Sequence, residues 1–154
     1  MRTARQRDPR EHRPSLYHED FLAWLDEQAE ALRNRQGQKL DWDNLLEEIE
    51  GMGRKERSEL KSRLRALLMH LINWRWQPER REKSWTLTIR EQRRGIADLL
   101  EISPSLKPAI PEVIPGAWWD AREDAALETE LPFSAFPESC PWTVEQVLSD
   151  WWPE

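Results

Sequence analysis

LKSRLRALLMHLINWRW, residues 60–76, places each of Leu60, Leu64, Leu67, Leu68, Leu71 and Trp74 three or four positions from another of the set. Each helical residue turns by about 100°, so this spacing lays all six along one side of an α-helix. Ile72 widens the stripe, which predicts a central helix touching several neighbours. Pro78 has no amide hydrogen to donate and ends the run.

The pattern extends in both directions. Downstream, Ser84 reads as a cap, and Trp85, Ile89, Gln92, Ile96, Leu99 and Leu100 form a second stripe that runs to about Ile102. The two helices are joined through QPERREKS and predict an antiparallel hairpin. Upstream, Asp41 reads as an N-cap, with Leu45, Leu46, Ile49 and Met52 on the apolar face that follows. Gly51 and Gly53 each cost a helix about 1 kcal/mol relative to Ala. The apolar phase nevertheless runs on to Leu60, so residues 41–76 read as one helix or as two.

Phe21, Trp24, Leu25, Gln28, Ala29 and Leu32 predict a first helix from Ser15 to about Arg35, stopped by Gly37. Beyond the hairpin, Pro108, Pro111 and Pro115 imply that a fifth helix starts near Pro115 or kinks there. LPFSAFPESCP, residues 131–141, reads as a connection laid across the body and anchored by Phe133 and Phe136. Thr143 and Gln146 then have capping-box spacing for a short last helix. No segment alternates as a strand does. The expected fold is all-α: one bundle of five to six helices over residues 15–154, built on a central antiparallel hairpin and preceded by a disordered basic arm at 1–14.

Of the 154 residues, 34% are charged and 38% hydrophobic, and ten are tryptophan, enough aromatic mass to anchor a core. The net charge of −6 disfavours the whole chain as a polyanion binder. Five arginines against Asp8 and Glu11 make residues 1–13 locally +3. One cysteine, Cys140, permits no internal disulfide and no thiolate-rich zinc site, which fits a reducing cytoplasm. No apolar run approaches the roughly 18 residues of a membrane span. No cofactor motif is present.

Between Arg75 and Arg94, seven basic residues face Glu79, Glu82 and Glu91, a net +4. Measured from Trp85, Arg90 and Arg94 point about 140° and 180° away from the buried stripe, and Leu87 about 160°. Trp76 lies about 160° from Leu60 on its own helix. With Arg80, Arg81, Trp151 and Trp152, these residues form a candidate interaction surface. Gln92, within a buried stripe, requires a hydrogen-bond partner. Glu59, Arg63 and His70 share one edge of the preceding helix and with Gln92 form a candidate polar cluster.

Glu47, Glu48 and Glu50 could carry metal chemistry with His70 on a facing helix, yet Leu67 stands where an E-x-x-H pair needs a glutamate. His70 therefore reads as a hydrogen-bonded structural histidine and Cys140 as a packed thiol. Ser58 and Lys61 spell S-x-x-K without the motifs that accompany it in serine hydrolases. No catalytic residue or metal ligand is assigned.

YHEDFLAWLDEQAEALRNRQ, DWDNLLEEIEGMGRKERSELKSRLRALLMHLINW, QPERREKSWTLTIREQRRGI and FPESCPWTVEQVL, in this order, resemble the bacterial domain-of-unknown-function family 29 over about residues 15–152. The resemblance implies an almost entirely helical bundle and brings no activity, cofactor or catalytic residue. Pro111 and Pro115 depart from the family's uninterrupted Glu- and Leu-rich helix. The expected function is a non-enzymatic interaction module that self-associates or binds a protein partner. The alternative is a nucleic-acid-binding or antitoxin-like regulator using the arm and the 75–94 cluster. A metal-dependent hydrolase built on Glu47, Glu50 and His70 ranks last.

Overall fold

Leu60, Leu64, Leu67, Leu68, Leu71 and Ile72 are all fully buried, as their spacing requires. A computed structural model describes residues 15–154, so the basic arm expected at 1–14 lies outside the described residues. Among the described residues the chain is all-α, with six α-helices and no strand. These are α1 (Leu16–Glu19), α2 (Phe21–Arg33), α3 (Trp42–Trp76), α4 (Lys83–Ile102), α5 (Ile110–Thr129) and α6 (Val144–Leu148). The chain divides into two compact units, Met1–Met52 and Gly53–Glu154.

In the first unit the single helix expected from Ser15 is two. Asp20 leaves helical geometry at φ −147°, and its Oδ1 accepts the Ala23 amide at 3.0 Å, capping α2 while its own amide closes α1. The stop comes before Gly37. Arg35 enters the left-handed region at φ 55°, where the Arg35 and Gln36 amides bond the Leu32 and Ala31 carbonyls. These two bonds satisfy carbonyls that the helix end would leave open. Trp24, Gln28 and Ala31 are buried, whereas Leu25 and Leu32 are exposed, because the covered face is centred about 80° away from them.

Of the two readings left open for residues 41–76, the structure takes the continuous one: α3 is one helix from Trp42 to Trp76, with no break at Gly51 or Gly53. The boundary between the compact units nonetheless falls there.

In the second unit α3 and α4 form the expected antiparallel hairpin. Arg81 Nε donates to the Trp74 carbonyl at 2.9 Å, and further along Arg63 reaches Gln92 at 3.3 Å. Partner numbers that rise on one helix as they fall on the other define an antiparallel pair. Gly95 serves this packing, since a Cβ there would lie 2.3 Å from the Arg63 guanidinium. α4 begins one residue before the expected Ser84 cap, with extended Glu82 as its N-cap. Ile89, Ile96 and Leu99 from α4 complete the hairpin core.

α5 lies against this core through Ile110, Ile114, Ala117, Trp118, Ala121 and Ala125. Alanines at four-residue spacing, Ala117, Ala121 and Ala125, add little bulk to the side of α5 buried in this core. Each fully buried Leu or Ile contributes about 1.5–3 kcal/mol, so the six of the α3 stripe are a large part of this unit's stability. α5 does not wait for Pro115. It starts at Ile110 with Pro111 in its first turn, where a missing amide is harmless, and continues through Pro115. Arg65 adds a two-pronged bond to Asp124, at 2.6 and 2.8 Å.

The 131–141 connection is anchored by Phe136, which is buried, and by half-buried Phe133. α6 carries the expected capping box: the Gln146 amide donates to Thr143 Oγ1 at 3.1 Å, and the Thr143 amide donates to Gln146 Oε1 at 3.0 Å.

Candidate interaction surfaces

Two arginines hold the C-terminal segment in place. Arg93 on α4 is only 7% exposed, and its guanidinium donates to three carbonyls: Val147 at 2.9 Å, Gln146 at 3.3 Å and Trp151 at 2.6 Å. Arg122 on α5, 3% exposed, donates to Phe136 at 3.1 Å and to Phe133 and Glu138 at 3.4 Å. Its guanidinium also lies over the Phe133 ring, 3.9 Å from the centroid. Backbone carbonyls in a short irregular segment have no ladder to join, and a planar five-donor group can satisfy several at once. Burial lowers the pKa of Arg93, while Asp150 acts through space in the opposite direction.

Sequence reasoning passed over both arginines. A usable signal existed: each lies about 80° from its helix's buried centre, at the edge of the stripe rather than opposite it as Arg90 and Arg94 are. Arg122 also stands four residues after Trp118 and eight after Ile114.

The aromatic residues of the expected surface are drawn into the fold. Trp76 points outward by helical phase, yet the returning C-terminal segment covers it: Phe136 and Trp142 lie 5.5 and 6.2 Å from its ring. Trp152 packs on Trp74 at 4.5 Å, and Trp151 packs on Trp142 at 5.9 Å. Trp74, expected inside the stripe, is only half-buried. Its other neighbour is Arg81, whose guanidinium sits 4.7 Å from its ring. Arg80, Leu87, Arg90 and Arg94 remain on the outside, all exposed.

The structure brings together three of the four polar-cluster residues. Arg63 Nε bonds Glu59 at 3.0 Å and its other arm reaches Gln92 Oε1, so Arg63 is the partner that Gln92 requires. His70 stays apart, with Nδ1 2.8 Å from the Ala66 carbonyl of its own helix. Among the described residues no group of three or more His, Cys, Asp or Glu side chains could hold a metal. Burial raises the pKa of the Cys140 thiol, which favours its neutral form.

Beside α4, the C-terminal segment leaves an open cleft of about 600 Å³ lined by Arg90, Arg93, Arg94, Leu148, Asp150 and Trp152.

A second surface lies in the Met1–Met52 unit. There the bonds run through polar groups: Tyr17 Oη to Glu48 Oε1 at 2.5 Å, Trp24 Nε1 to Asp41 Oδ2 at 3.0 Å, and the Asp41 amide to Gln28 Oε1 at 2.7 Å. Glu48 on α3 is thus bonded to α1, and Asp41, the residue before α3, to α2. The apolar stripe, expected to be buried, points the other way: Leu46, Ile49 and Met52 are 55%, 61% and 59% exposed. Trp42 shares their side of the helix and is also exposed. Leu22, Leu25 and Leu32 are exposed on α2.

Among the described residues no helix is long and apolar enough to cross a membrane. No curated protein and no solved structure matches the chain. The family model described as "Domain of unknown function DUF29" matches residues 16–152, nine-tenths of the sequence, and the chain belongs to that family.

Proposed function

We propose that the chain is a non-enzymatic helical interaction module that acts in the cytoplasm and takes a second copy of itself or another protein on the N-terminal hairpin. One observation carries this reading: the start of α3 is held to α1 and α2 through polar groups, Glu48 to Tyr17 and Asp41 to Trp24, while Trp42, Leu46, Ile49 and Met52 stay open to solvent. A contiguous apolar face of this kind marks a protein contact in a well-packed chain. The three- and four-residue steps between these four suit a helix laid into a groove.

Light scattering across a concentration range, paired with affinity capture from native lysate, tests the reading on wild type and Ile49→Glu. Association or capture that the substitution abolishes is the expected result. A monomer at every concentration, with identical captures for both proteins, overturns it.

A nucleic-acid-binding or antitoxin-like role is the second reading. It draws on Arg90 and Arg94, which make no ion pair among the described residues. Binding of random-sequence nucleic acid that weakens steeply with salt would favour it.

A further inference from the structure

We propose that the cleft between α4 and the C-terminal segment binds the carboxylate side chains of an acidic segment on a protein partner. Arg90, Arg93 and Arg94 occupy one turn of α4 and all line the cleft, against a single carboxylate, Asp150. The local charge is therefore +2 within a chain of −6. Arg90 and Arg94 are exposed, with no hydrogen bond or ion pair among the described residues. Behind them Arg93, more than nine-tenths buried, is bonded only to carbonyl oxygens, so no carboxylate contact neutralises its charge. Two free guanidinium forks before a fixed buried cation suit planar carboxylates, which accept paired hydrogen bonds from arginine.

The geometry favours a peptide over a nucleic acid. Base stacking needs an open aromatic face beside the cations. Trp152, the ring lining the cleft, is packed on Trp74 at 4.5 Å, and the Arg93 guanidinium sits 5.6 Å from its centroid. Arg80 and Arg81 lie outside the lining, and Arg81 is committed to Trp74, so no continuous basic track leads from the cleft. Leu148 supplies an apolar wall that suits side chains flanking the acids.

This proposal rests on the interaction reading only in taking a protein as the source of the carboxylates. Its test is separate. Fluorescence anisotropy of a labelled ten-residue poly-glutamate peptide is measured against the full chain, with a single-stranded DNA oligonucleotide of equal charge and inorganic phosphate as competitors. Arg90→Gln with Arg94→Gln should weaken peptide binding on the order of tenfold or more. Asp150→Asn, which removes the opposing carboxylate, should tighten it. Arg75→Gln, outside the cleft, should leave it unchanged, as should Ile49→Glu, so failure of the hairpin reading shows in association and failure of this one in peptide binding. No peptide binding, binding indifferent to the double substitution, or an oligonucleotide or phosphate that displaces the peptide at lower concentration than unlabelled peptide overturns the proposal.

Discussion

The guanidinium of Arg93 donates to the carbonyl of Trp151 at 2.6 Å, tying the middle of α4 to a residue 58 positions later. The same side chain reaches Val147 and Gln146, so one arginine fixes both the end of α6 and the segment after it. Position and charge act together here. Arg93 closes the fold and also furnishes the back wall of the cleft.

Arg93→Met keeps much of the apolar stem but strands three carbonyls. Leaving buried acceptors without donors costs about 1–3 kcal/mol each, partly recovered by water near the chain end. A loss on the order of 3 kcal/mol is expected in urea unfolding, together with faster proteolysis after Leu148. Arg93→Lys should recover less than half, since an ammonium cannot span three oxygens held in a fork. A Met variant within 0.5 kcal/mol of wild type, taken as about the noise of surface substitutions, would show that the segment is held by its tryptophans alone.

The core of α3 was legible because five leucines keep helical phase and bury as a block, with Ile72 widening their stripe; Trp74, also in phase, is half-buried at its end. The α6 cap was legible for a similarly local reason: a Thr and a Gln three apart complete a bond pair between neighbours. Leu46, Ile49 and Met52 kept phase equally well and yet are exposed. Periodicity identifies an apolar face without identifying what covers it, and in that hairpin the bond from Tyr17 to Glu48, that from Trp24 to Asp41 and that from the Asp41 amide to Gln28 hold a different side of the α3 N-terminus inward. Trp76 erred in the other direction. Its phase is outward relative to Leu60, but the chain returns 60 residues later and partly buries it against Phe136 and Trp142, a contact with no local trace. The candidate cleft shows the same limit, since Arg90, Arg93 and Arg94 lie together on α4 while Leu148, Asp150 and Trp152 meet them only through the fold of the last ten residues.

Asn73 sits on α3 with no exposure, and neither its amide nitrogen nor its carbonyl oxygen has a hydrogen-bond partner among the described residues. An unpaired buried amide costs about 1–3 kcal/mol, and leucine has the same branch point and the same number of side-chain heavy atoms, though its methyl groups are bulkier. Asn73→Leu should therefore raise the urea midpoint, by a stability gain of about 1 kcal/mol or more, at an unchanged slope. Lowered stability would assign the amide a polar partner that leucine cannot replace.

Asp41 carries the acid sensitivity of the N-terminal hairpin. Its carboxylate accepts from Asn44 Nδ2 at 2.8 Å and from Trp24 Nε1 at 3.0 Å. These bonds, the one from Asn44 foremost, hold its pKa below the usual carboxylate value, with burial opposing them. A folded pKa below the unfolded one means that the stabilisation is fully present above the unfolded pKa, about 3.9, and is lost as pH falls through the lower folded value. Followed by NMR, the Trp24 indole N–H resonance should hold its position from neutral pH down to about 4 and shift toward its free value only below that. In Asp41→Asn the indole faces a neutral amide at every pH, so its resonance should start displaced and show no acid step. A wild-type step centred above pH 5 would place control with another group and remove Asp41 as the switch.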